Sequence, residues 1–110
     1  MSSYYRISNR YGDSDLISLV MRRVLECLGD AENSGYPIVE SRFMREYLDD
    51  ACSQQTFYTT LRLMQERGMV DAVIGSCDGI PGNVLLVAYP GTFGTTPDGI
   101  VVEASIVLCS

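Results

Sequence analysis

Residues Ser53 to Val70, SQQTFYTTLRLMQERGMV, admit few local structures. Phe57, Leu61 and Met64 recur at i, i+4 and i+7, which places them on one face of a helix. Ser53 is a suitable N-cap, because its hydroxyl can accept a bond from an unpaired first-turn amide. Gly68, following Arg67, is free to take the left-handed conformation that stops a helix. Met69 and Val70 then read as the start of a strand. The opposite face carries Gln55, Tyr58, Thr59 and Arg62, with Gln54 at the tip. Such a row of hydrogen-bonding side chains is what a reader of the DNA major groove needs.

Taken with the preceding ESRFMREYLDDAC, the stretch resembles the helix-turn-helix of winged-helix transcription regulators of the ArsR/MarR kind. Phe43, Met44, Tyr47 and Leu48 stand where that pattern has its first helix, and Cys52-Ser53 where it has its turn. Leu61 matches the central leucine, and Gly68-Met69-Val70 the terminal tripeptide. The resemblance covers about Glu40 to Gly75 without a gap. It implies an α+β winged helix: a three-helix core, a β-hairpin wing and, here, an additional C-terminal strand. It also implies duplex DNA as a partner, although many winged helices bind proteins instead.

At 110 residues the chain is one domain by length. The expected organisation is an N-terminal arm (1–12) and a single domain (13–110), with the helix-turn-helix at 40–68, the wing at 69–89 and a C-terminal hairpin or strand at 90–110. No apolar run approaches the roughly 20 residues of a membrane helix. Met1 to Tyr11 lacks a signal-peptide core, so a cytoplasmic protein without a membrane partner is expected.

The net charge of −6 opposes strong DNA binding, for which a basic face is the usual footprint. Its distribution softens the objection, because residues 51–70 carry Arg62 and Arg67 against Glu66. All eight basic residues are arginines. That suits bidentate contacts to guanine or phosphate, but codon bias in a GC-rich genome gives the same composition. With no histidine, imidazole catalysis and His-containing metal sites are excluded. Cys27, Cys52, Cys77 and Cys109 form no close pair, which argues against a thiolate zinc site. Cys27 and Cys52 read as small core residues, and a Cys77–Cys109 disulfide or redox pair stays open.

Elsewhere, the arm SSYYRISNRYG mixes tyrosines with Arg6 and Arg10. A helix is expected from Ser14 to Leu28, with Leu16, Ile17, Val20, Val24, Cys27 and Leu28 as its apolar stripe and Gly29 as its stop. AENSGYPI reads as a loop, and Ile38-Val39 as a short strand. The second helix is expected over Ser41 to Asp49, exposing Arg42 and Arg45 either towards phosphates or, diluted by Glu46, Asp49 and Asp50, as part of a solvated mixed face. MVDAVIG and NVLLVAY read as strands joined by SCDGIPG, a wing with Asp78 and no positive charge. Pro97-Asp98-Gly99 signals a turn. IVVEASIVL reads as one β-branched strand that must be paired, with the wing sheet or with a second subunit.

No phosphate loop, carboxylate pair or activated serine is present, so neither an enzyme nor a cofactor is expected. The leading expectation is a small, homodimeric DNA-binding regulator that reads duplex DNA with the 53–67 helix. Its candidate contacts are Gln54, Gln55, Tyr58, Thr59 and Arg62, with Arg42 and Arg45 on phosphates. The alternative is an acidic winged helix that binds a protein partner, as an adaptor or a phage-type inhibitor, and not DNA.

Overall fold

A computed structural model of the chain describes residues 12–48, 52–94 and 100–109. Among these residues the fold is α+β, with α1 (Gly12–Asn33), β1 (Ile38–Glu40), α2 (Ser41–Leu48), α3 (Gln54–Glu66), β2 (Asp71–Cys77), β3 (Ile80–Ala88), β4 (Ile100–Val102), a 3-10 turn (Ala104–Ile106) and β5 (Val107–Leu108). The N-terminal arm as far as Tyr11, residues 49–51 and the Pro97-Asp98-Gly99 turn lie outside the described residues, while Gly12, expected in the arm, begins α1.

The α3 helix forms as its sequence dictates. The Ser53 hydroxyl accepts from the Thr56 amide at 3.1 Å. At the other end Gly68 has φ 72°. There the Met69 amide donates to the Met64 carbonyl at 2.8 Å and the Gly68 amide to the Gln65 carbonyl at 3.0 Å, a complete Schellman closure. Phe57, Leu61 and Met64 are buried against α1 and the sheet. Each contributes about 1.5–3 kcal/mol of transfer free energy. The strand after α3 begins at Asp71 rather than Met69, because those closing bonds hold Met69 to the helix end.

Helix α1 is longer than expected. It passes through Gly29 and ends at Asn33. The AENSGYPI loop therefore shrinks to its second half. Ala31 extends the buried stripe of Val20, Val24, Cys27 and Leu28 by another turn. That burial outweighs the roughly 1 kcal/mol a mid-helix glycine costs. Gly29 instead makes room for a neighbour: a Cβ there would sit 3.3 Å from the Tyr89 hydroxyl. The real stop is Gly35, with φ 95°. Around it the Tyr36 amide donates to the Ala31 carbonyl at 2.8 Å and the Gly35 amide to the Glu32 carbonyl at 3.0 Å, the same closure as at α3.

The described strands form a five-stranded sheet in the order β4-β2-β3-β1-β5. The β2–β3 hairpin turns at Asp78-Gly79 alone, with Cys77 opposite Ile80. Pro81 and Gly82, which read as turn residues, lie within β3, where the register shifts opposite Ser76/Cys77. Gly82 meets that irregularity with φ 79°. The two-residue Asp-Gly turn, with Gly79 at φ 87°, follows the twist of the strands and so prevails over the Pro-Gly signal.

The largest departure is at 100–108. Instead of one strand, β4 pairs in parallel with β2 and β5 in parallel with β1, at opposite edges of the sheet. The chain from Val102 to Val107 reaches at most about 17–18 Å when extended. Flat strands at about 4.8 Å spacing would put β4 and β5 about 19 Å apart. Part of that reach is also spent on the 3-10 turn, so the sheet must curl. Its strands are accordingly apolar on both faces. Val39, Ala72, Leu85 and Val87 meet the helices. Ile38, Val73, Val84, Leu86 and Ala88 form a second core with Phe93, Val102, Ala104, Ile106 and Val107. Gly75 permits this closure, since a Cβ there would stand 2.5 Å from the Ile100 carbonyl oxygen.

Candidate functional site

The outward face of α3 carries most of the residues singled out from the sequence. Gln54, Gln55, Thr59 and Arg62 are exposed. Arg62 takes part in no ion pair among the described residues, and Glu66, one turn on, does not hold it. Tyr58 differs from expectation. It is half-buried, its ring meets Phe57 edge-on with centroids 4.9 Å apart, and its hydroxyl lies 3.4 Å from the Ser41 hydroxyl. Aromatic packing holds it between α3 and α2, so it offers an edge rather than a free side chain.

The two arginines of α2 are not the free pair expected. Arg42 is exposed, yet its Nε donates to both oxygens of Glu40 at 3.1 Å. Arg45 is half-buried, with its Nε out of contact with water and without a hydrogen-bond partner among the described residues. It lies near enough to Cys52 to oppose the burial that raises that thiol's pKa.

The organising group at this end of the molecule is Glu40, which sequence reading missed. It is only 3% exposed. One carboxylate oxygen accepts from the Arg42 backbone amide at 3.0 Å and lies 3.4 Å from the Ser41 hydroxyl. A buried carboxylate needs such partners, and the N-terminus of α2 supplies them. The available signal was an acid directly before a helix, in V-E-S-R, where a capping residue is expected.

Beside Glu40 a cleft of about 300 Å³ opens between the helices and the hairpin, lined also by Tyr58, Pro81, Asn83 and Leu85. Arg42 is the cationic residue on its wall. The hairpin tip beyond it carries exposed Asp78, whose amide donates to the Val102 carbonyl at 3.2 Å. The tip is thus tied to β4. On the same sheet, Ile74 (59% exposed) and Val101 (75%) are large apolar side chains left to water.

Burial holds the thiols of Cys27, Cys52 and Cys77 in the protonated form. Burial, reinforced by the charge of Asp30, pushes Cys27 from its ordinary 9.0 up to about 12. Burial also raises Cys77, with Cys109 close enough to add to the shift. All four cysteines are unpaired. Among the described residues no three side chains of Cys, Asp or Glu come close enough to hold a metal ion. No described helix is long and apolar enough to cross a membrane.

The site therefore gathers Gln54, Gln55, Thr59 and Arg62 on one helix face, with Tyr58 and Arg42 at its border and Arg45 turned inward. Comparison with protein-family models, curated proteins and solved structures returned no match.

Proposed function

We propose that the chain is a winged-helix protein of the transcription-regulator type, and that it reads duplex DNA with α3. The element order supports this reading: helix, short strand, two further helices, then a hairpin whose second strand pairs with the short one. The observation that carries it is the exposed row Gln55, Thr59 and Arg62, backed by the buried row Phe57, Leu61 and Met64. A helix anchored on one side, with amides and an uncommitted guanidinium on the other, can enter a major groove about 12 Å wide and bond to base edges.

Electrostatics bounds the affinity. With Arg42 neutralised by Glu40 and no cation on the hairpin tip, few phosphates are contacted. Titration on a random duplex pool should give a log affinity against log salt slope of only about −2 to −3. Absence of binding even at low salt would sink the proposal.

A second reading, a module that binds a protein partner, is favoured by the exposed Ile74 and Val101 beside the acidic turn. An interface core of that kind excludes charge and admits apolar side chains. It takes the lead if duplex binding fails.

A further inference from the structure

Away from the α3 face, a second pocket of about 240 Å³ lies between the C-terminal half of α1, the loop after it, α2 and β5. Tyr36, Phe43, Tyr47 and Leu108 wall it, with Cys27 and Asp30 contributed by α1. The three aromatic residues are each only half-buried, and among the described residues none of their rings stacks on another. Phe43 and Tyr47 stand at i and i+4 of α2, so they share one face. Among the described residues the charged group on the wall is Asp30, and no basic side chain lines the pocket. The Tyr47 hydroxyl donates to an Asp30 carboxylate oxygen at 2.5 Å, which fixes the carboxylate in place.

Two further features favour a cation here. The pocket adjoins the last turns of a 22-residue helix, where the helix dipole is negative, and that last turn carries no basic residue. The protein as a whole carries a net charge of −6. The chemistry of the wall then selects among cations. A primary ammonium has three N–H groups to satisfy, and on a wall that is otherwise aromatic and aliphatic only Asp30 and the Ser34 and Tyr47 hydroxyls are there to accept them, with Asp30 already engaged by Tyr47. An alkylated ammonium has few or none, and its positive charge is attracted to aromatic rings. The volume is below that of drug-sized sites, which begin near about 300 Å³, so the ligand is small.

We propose that this pocket binds a small alkylated ammonium cation, with the rings of Tyr36, Phe43 and Tyr47 and the carboxylate of Asp30 as its recognition set. The site is separate from the α3 face, and its occupancy does not depend on whether the protein binds DNA.

The test is a titration of the full chain with choline and, in parallel, with 3,3-dimethyl-1-butanol, a neutral molecule of nearly the same shape, followed through the ring signals of Tyr36, Phe43 and Tyr47 by NMR. Choline should shift these signals saturably and bind at least about tenfold more tightly than the neutral analogue, since only the cation gains from rings and carboxylate. Asp30→Asn retains an acceptor for the Tyr47 hydroxyl, and should weaken choline about fivefold or more while leaving the neutral analogue unchanged. Phe43→Leu should weaken choline and preserve the fold. Equal binding of the two molecules overturns the proposal, because the pocket would then be an apolar hole without charge selectivity. Absence of saturable shifts at about 10 mM choline overturns it as well, since such an affinity is below any useful site.

Discussion

Leu61 and Arg62 are adjacent in sequence and face opposite ways, and the two sides of α3 can be tested separately through them. Leu61 is 2% exposed, between α1 and the sheet. Leu61→Ala should cost about 2–5 kcal/mol in urea unfolding. An unchanged midpoint would contradict its burial. Arg62→Ala should leave stability within about 0.5 kcal/mol, as for an exposed position. Under the DNA reading it should relax sequence preference on a randomised duplex pool, because a bidentate contact to guanine is worth about 1–3 kcal/mol of discrimination. An intact specificity profile would remove α3 as the reader. The matching control is the exposed Arg22→Ala rather than Arg42→Ala, because removing Arg42 strips the buried Glu40 of its ion pair and confounds binding with stability. The buried row of α3 was legible in the sequence because helical period alone sets it. The ion pair of Arg42 and the partial burial of Arg45 were not, since both depend on groups that only the fold brings close. For Arg42 the partner stands two positions away, but a strand-to-helix junction is needed to aim it.

Among the elements, the ends of the helices were legible wherever a glycine and its flanking residues told a single story. Gly68 did so for α3. For α1 two glycines competed, and periodicity continuing through Ala31 was the signal that decides for Gly35. Substitution can distinguish the two roles. Gly35→Ala should destabilise by about 1–2 kcal/mol, because φ 95° is strained for any residue with a Cβ. Gly29→Ala should change stability by less than about 1 kcal/mol: the gain in helix propensity is offset by crowding of the Tyr89 hydroxyl, which donates to the Leu25 carbonyl at 3.3 Å. Thermal unfolding of the two variants checks the order, and a larger loss at Gly29 would place the helix end there. The hairpin carries the same lesson. Asp78-Gly79 and Pro81-Gly82 are both turn signals, and register with the partner strand, which a single stretch of sequence does not contain, chose between them.

For the whole molecule, the pairing of 100–108 matters most. The sequence required that this segment be paired, and it is paired within the chain, by the two strands β4 and β5. What could not be read was the break at Glu103, since nothing local distinguishes one strand from two that serve opposite edges. The 100–108 segment, expected to pair either with the wing sheet or with a second subunit, is therefore committed within the chain. A dimer is still the state a half-site reader needs. Sedimentation at micromolar concentration should show it, and a monomer would weaken the DNA reading. The joining of both sheet edges by one segment also has a kinetic side. Ile38 and Val107 pair across most of the chain's length, so their contact closes a very long loop. Closing that loop costs chain entropy that only the rest of the sheet can offset, so the expectation is that this contact forms after the transition state for folding. Val107→Ala should accordingly leave the refolding rate within about twofold and accelerate unfolding, as at positions absent from the nucleus. A stopped-flow chevron whose folding limb falls instead would show that the segment helps to nucleate the sheet. If it does not, 100–108 acts as a clasp: it sets how long the native state survives, and has little say in how fast that state is reached.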